Sequence, residues 1–152
     1  MMKQYLLVYV AQYALIFDKK KRFLILQFKE SKNPEHSKRW VLPGGRVNEG
    51  ETDLIKALKR EIKEETGLKN VKVLFPFFSE LSRHSGKLTQ KTCYLCKCNS
   101  GKVKIKPNNP DNIINYRWID YRDINQYLFI GKYGDRMFKR FIKESKKFIR
   151  HL

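Results

Sequence analysis

Residues Gly44–Leu68 read GGRVNEGETDLIKALKREIKEETGL, a glycine turn followed by a helix whose acids gather at its unfavourable end. No Gly or Pro interrupts Thr52–Thr66, and Leu54, Leu58 and Ile62 recur every four residues, as on one face of a helix. Thr52 or Asp53 serves as N-cap, and Gly67 closes the C-terminus. Glu61, Glu64 and Glu65 stand at i, i+3 and i+4, so three carboxylates share one face of the last two turns. There they meet the negative end of the helix dipole, at a cost of about 0.3 kcal/mol or more each. Glu61 and Glu65 also repel one another at i,i+4. Two arrangements relieve this. Arg60 can reach Glu64 while Lys63 or Lys69 screens the rest, or a divalent cation compensates the cluster. Oxygen donors with no neighbouring Cys or His suit Mg²⁺ or Mn²⁺ and disfavour zinc.

Pro43–Gly44–Gly45 is a tight turn where glycine lets backbone approach a ligand closely. Segment 45–68 resembles the signature of the Nudix hydrolases, Gly-x5-Glu-x7-Arg-Glu-apolar-x-Glu-Glu-x-Gly-apolar. Gly45, Glu51, Arg60, Glu61, Ile62, Glu64, Glu65, Gly67 and Leu68 supply its specified residues, and WVLPGG and YRWID resemble the usual flanks. One departure is that eight residues, Thr52–Lys59, separate Glu51 from Arg60 where the signature has seven. The extra residue is expected at the helix start. Another is Asn115, near which many relatives carry an acid; Glu80 and Asp111 are the candidate substitutes.

The resemblance implies a Nudix-like α/β/α sandwich with a mixed β-sheet, one domain over residues 1–152. It implies hydrolysis of a nucleoside diphosphate linked to another moiety, giving a nucleotide and a phosphorylated remainder. Mg²⁺ or Mn²⁺ would be held by Glu61, Glu64, Glu65 and the carbonyl of Gly45. Glu61 or Glu65 would take the proton of the attacking water, and Arg60 would orient the glutamates, a task in which Glu51 shares. Arg39, Arg46, Arg83 and Lys87 lie in or beside loops near this segment and are candidates for phosphate binding.

Outside this segment, Tyr5–Phe17 and Phe23–Phe28 flank DKKKR as a hairpin, with a short strand at Trp40–Leu42. Val71–Leu81, Leu88–Cys98, Val103–Ile105 and Tyr116–Ile119 read as further strands. Tyr121–Phe129 reads as a short helix and Asp135–Leu152 as a longer, amphipathic one. Phe75, Phe77 and Phe78 read as core.

At 152 residues, with 41% hydrophobic and 32% charged, the composition excludes a disordered tail and a multi-pass membrane protein. The net charge of +18, spread along the whole chain, attracts polyanions and points toward highly phosphorylated substrates, an RNA end among them. The alternative class is a catalytically silent Nudix-like module that binds RNA or nucleotides through this basic surface. Cys93, Cys96 and Cys98 are odd in number and alternate along a strand, so they read as buried reduced thiols; His84 is the only nearby fourth ligand for a zinc site. LLVYVAQYALIF near the N-terminus is too short to span a bilayer and is broken by Gln12. No membrane contact and a cytoplasmic location are expected.

Overall fold

The computed structural model describes residues 1–152 apart from 85 and 132, and the side chain of His84 lies outside the described residues. Seven strands and two helices follow in order. They are β1 (Tyr9–Phe17), β2 (Phe23–Phe28), β3 (Trp40–Val41), β4 (Gly44–Arg46), α1 (Leu54–Thr66), β5 (Lys72–His84), β6 (Lys87–Lys97), β7 (Ile113–Ile119) and α2 (Gly134–Ser145). All seven strands form one sheet along the path β3-β2-β1-β6-β5, with β4 on β1 and β7 on β2. Only β1 and β6 run parallel; the other pairs are antiparallel, so the sheet is mixed. The helices flank it in a single α/β fold.

The second edge of β1 is divided. Phe17 pairs with Phe23 of β2, whereas Ala11, Gln12 and Tyr13 pair with Arg46, Gly45 and Gly44 of β4. The expected hairpin therefore exists only at its turn. Asp18 fastens that turn, its Oδ1 accepting from the backbone N–H groups of Lys20 and Arg22. Beyond it the strands diverge and β4 enters the gap. The N-terminal run also starts later than expected. Tyr9 stands opposite Thr89, and β6 begins at Lys87, so a longer β1 would soon outrun its partner. Tyr5, Leu6 and Leu7 are accordingly exposed.

Strand alternation assigns each residue to a face. Tyr13 packs against Phe138 and Phe141 of α2, with ring centroids at 5.0 and 6.2 Å, and Phe78 lies 5.3 Å from Phe141. Phe75 and Phe77 meet Phe148, so these aromatics border the core rather than lining an open site. In α1, Leu58 and Ile62 are fully buried while Leu54 at the first turn stays exposed. Burying each such side chain contributes about 1.5–3 kcal/mol. Both faces of β6 are covered, which is why Cys93 on one face and Cys96 and Cys98 on the other are all buried and free.

Two expected elements differ. Val103–Ile105 forms no strand; the N–H of Lys104 instead donates to the carbonyl of Thr66 at 2.8 Å, one of the acceptors that a helix C-terminus leaves open. α2 ends at Ser145, whose hydroxyl donates to the carbonyl of Ile142, and a 3-10 turn, Lys146–His151, follows. Among the described residues no helix is long and apolar enough to cross a membrane.

Candidate active site

Asp53 caps α1, its Oδ1 accepting from the N–H groups of Ile55 and Lys56 at 3.0 Å, and Gly67 closes the helix at φ +71°. Thr52 and Asp53 thus precede the first helical residue. Glu51 lies before them, its Oε2 accepting from the N–H of Asn48 at 2.7 Å. From there its carboxylate receives both Nε (2.6 Å) and Nη2 (3.1 Å) of Arg60. The remaining arm of that guanidinium, Nη1, lies 2.9 Å from Glu61 Oε1 and 3.0 Å from Glu64 Oε2. One arginine therefore organises three carboxylates. The resulting pairing holds the Arg60 guanidinium even more firmly protonated than usual and draws the Glu51 carboxyl below the ordinary carboxylate range.

Glu65 faces elsewhere. Only 6% exposed, it accepts one hydrogen bond, from the N–H of Gly44 at 2.8 Å. Burial pushes its carboxyl well above the ordinary range, and the charges of Asp111, Glu61 and Glu64 add to the effect. Glu61 is raised as well, first by burial, against the opposing pull of Arg60. Asp111 acts on both Glu61 and Glu65, whereas Glu80 acts on Tyr13. Asn115 is engaged with Gln27 across β2 and β7.

Gly44 and Gly45 join helix and sheet. A Cβ on Gly44 would fall 2.1 Å from the carbonyl oxygen of Gln12 and 2.8 Å from Cα of Tyr13. A Cβ on Gly45 would fall 2.8 Å from the carboxyl carbon of Glu61. The turn expected at these residues is in fact the start of β4, and its glycines let α1 lay its acids against the strand. Arg46, the next residue, points to the opposite face.

On that opposite face lies a cleft of about 510 Å³, within the range of small-molecule sites. Its floor is one face of three adjacent strands: Ala11 and Tyr13 of β1, Thr89 and Lys91 of β6, Glu80 and Ser82 of β5. Met137 and Phe138 of α2 and the segment Ile130–Gly131 form a wall, and Gly45 and Arg46 form the edge toward the acidic helix. Burial pushes the Tyr13 phenol up to about 12, with Glu65 reinforcing the shift, so it is a neutral donor at ordinary pH.

Of the four candidate phosphate-binding cations, Arg46 and Arg83 line this cleft. Lys87 lies beside it, its Nζ 5.0 Å from the ring centre of Tyr9, which the Arg46 guanidinium also approaches at 5.4 Å. Arg39 is turned away and donates to the carbonyl of Pro34 at 3.2 Å. Sequence reasoning missed Lys91 and Tyr13, and treated His36 as ordinary surface although it lines the cleft. The apolar-polar alternation of β1 and β6 was the available signal, but only the parallel register puts Ala11 beside Lys91 and Tyr13 beside Cys93.

The donor set fits a hard divalent cation by its chemistry. Glu61, Glu64, Glu65 and the Gly45 carbonyl are all oxygen donors, and Glu65 is a buried carboxylate with a single N–H to balance it. Among the described residues no three side chains already converge as a cage, because Arg60 holds Glu61 and Glu64.

Comparison with known proteins agrees with this architecture. The chain matches the NUDIX domain over residues 9–141. It is 24% identical over 137 residues to an RNA pyrophosphohydrolase of Bartonella clarridgeiae, covering 79% of this chain and 78% of that one. It resembles the crystal structure of the MutT protein from Methanosarcina mazei Go1 (TM-score 0.70, 26% identity, 91% of this chain and 96% of that one). A C. elegans Ap4A hydrolase binary complex shares the fold (TM-score 0.72, 23% identity, 95% and 100% covered). With the match spanning most of the chain and including the helix that carries Arg60 and its glutamates, this protein belongs to the Nudix hydrolases, a family of pyrophosphohydrolase enzymes.

Proposed function

We propose that the protein is a Mg²⁺-dependent nucleotide pyrophosphohydrolase that cleaves a phosphoanhydride bond in a nucleoside diphosphate linked to another moiety. The observation that carries this reading is the clamp of Glu51, Glu61 and Glu64 by Arg60, with Glu61 packed against Gly45, which also lines a nucleotide-sized cleft. Hydrolysis of a phosphoanhydride needs neutralised phosphate oxygens and a water aligned with the leaving group. A divalent cation held by Glu61, Glu64, Glu65 and the Gly45 carbonyl supplies positive charge to the phosphates and makes water easier to deprotonate. Arg46 and Arg83, both in the cleft, bind the remaining phosphate charge, with Lys91 between them and Lys87 alongside. Glu61 or Glu65 takes the proton of the water; Arg60 engages Glu61, whereas Glu65 accepts only from the N–H of Gly44. Arg60 orients carboxylates and does not touch substrate.

The test is phosphate release from triphosphates, nucleotide sugars, dinucleoside polyphosphates and a short triphosphorylated RNA, with Mg²⁺ or Mn²⁺, wild type beside Glu65→Gln. Metal-dependent turnover that disappears in the variant supports the reading and identifies the substrate class. No turnover on any member, together with salt-sensitive RNA binding that Glu65→Gln leaves intact, overturns it in favour of a binding module.

A further inference from the structure

Three strand registers arrange the cleft floor in rows. Tyr9, Thr89 and Ser82 form one row; Ala11, Lys91 and Glu80 form the next. Arg46 stands beside Ala11 on the outer side of β1, so Arg46 and Glu80 are three strand spacings apart, about 14 Å between backbones. That span is comparable with an extended nucleoside diphosphate once both side chains reach inward.

The two ends differ in chemistry. Arg46 stands at the Gly45 edge, Lys91 in the middle of the floor and Arg83 next to Ser82 on β5, so cations run the length of the cleft and the carboxylate is what marks one end. At the far end Glu80 contributes a carboxylate, and no ion pair joins it to Lys91 across the rung. A carboxylate repels phosphate, so a phosphorylated ligand must present a neutral, donor-bearing part there. Next to it on the same face is Ser82, whose Oγ is the one buried side-chain oxygen or nitrogen without a hydrogen-bond partner among the described residues. Buried hydroxyls ordinarily find partners, and this orphan, on a residue that lines the cleft, gains one if its side chain turns toward a bound ligand. Thr89, directly opposite in register, does not satisfy it.

We propose that Glu80 and Ser82 hold the vicinal diol of the substrate's ribose and make the enzyme selective for ribonucleotides over deoxyribonucleotides. This rests on the reading that the cleft takes a nucleotide. A carboxylate accepts both diol O–H groups, and the Ser82 hydroxyl pairs with one of the same oxygens. An acidic side chain on the ribose 2′-OH is a recurrent solution in nucleotide-binding folds.

The experiment measures binding of α,β-methylene-ADP and its 2′-deoxy counterpart by titration calorimetry to wild type, Ser82→Ala and Glu80→Gln. The ribo form should bind wild type about tenfold or more tightly than the deoxy form, the worth of one or two net hydrogen bonds. Each variant should weaken the ribo form more than the deoxy form, which keeps only its 3′-OH contact, and so narrow the difference between them. Ser82→Ala should also leave the melting temperature of the free protein unchanged or higher, because it removes an unpartnered hydroxyl. Equal binding of the two forms by wild type, equal weakening of both by the variants, or binding of neither probe overturns the proposal. Turnover on the nucleotide panel separates the two readings: discrimination without turnover sinks the hydrolase alone, and turnover without discrimination sinks the diol contact alone.

Discussion

At Gly44 a methyl group has no room: φ is +145°, and the added carbon would lie 2.1 Å from the Gln12 carbonyl oxygen. Gly44→Ala should therefore lose about 3 kcal/mol or more, or fail to fold, as read by denaturant melts. Glu65 makes the opposite case. Its carboxyl is raised by burial, so the folded state holds the proton more tightly than the unfolded chain. The sign follows from linkage: stability falls as pH rises from the ordinary carboxylate value toward the raised folded value, and the cost is complete above it. Glu65→Gln keeps an acceptor for the Gly44 N–H and removes the charge. In metal-free buffer at pH 8 the variant should melt no lower than wild type, and the difference should vanish at pH 4. Its activity should nonetheless fall by several kcal/mol of transition-state stabilisation, on the order of 10³-fold. A variant that melts lower at pH 8 would mean that the buried carboxylate is compensated by a contact other than Gly44.

Helix α1 carries the orienting function as one unit. Its capping residue, its closing glycine and its buried Leu58–Ile62 face fix where Arg60 starts, and the planar guanidinium then divides its donors among Glu51, Glu61 and Glu64. Lysine cannot reproduce that fork. Arg60→Lys should keep the fold but lower kcat/KM by about 10–100-fold, the usual loss when a group that positions metal ligands is changed. Circular dichroism and steady-state kinetics on one preparation check both halves. The interval between Glu51 and Arg60 also belongs to this scale. Two of its eight residues, Thr52 and Asp53, lie ahead of Leu54 in backbone outside the helix, and the contact between Glu51 and Arg60 is made.

Across the whole molecule, the +18 charge places a positive field around the cleft proposed for the nucleotide. Substrate capture should weaken with salt: raising NaCl from 50 to 300 mM (about 14 to about 6 Å of Debye length) should raise KM several-fold and leave kcat little changed. A KM indifferent to salt would mean that the cations are mere surface charge. The sheet also explains how two faces cooperate. Glu61 of α1 meets Gly45 on one face of β4 while Arg46 lines the cleft on the other, so a three-residue strand connects the acidic helix with the cleft.

Residues 44–68 by themselves determined the helix, its caps, the carboxylate cluster and the family, because local periodicity and the order of chemical groups carry that information. The longer strands were legible for the same reason. Val103–Ile105 was misread since an apolar stretch of three residues cannot distinguish a strand from a segment tied to a helix end. Only the tertiary structure decided which cations share the cleft, that Glu80 lines it, and that the Ser82 Oγ is buried without a partner. Those facts depend on the parallel pairing of β1 with β6 and on β4 entering the fork beside β2. Such non-local registers join residues 80 positions apart between β1 and β6 and 31 to 35 apart between β1 and β4, relations that no short window along the chain contains.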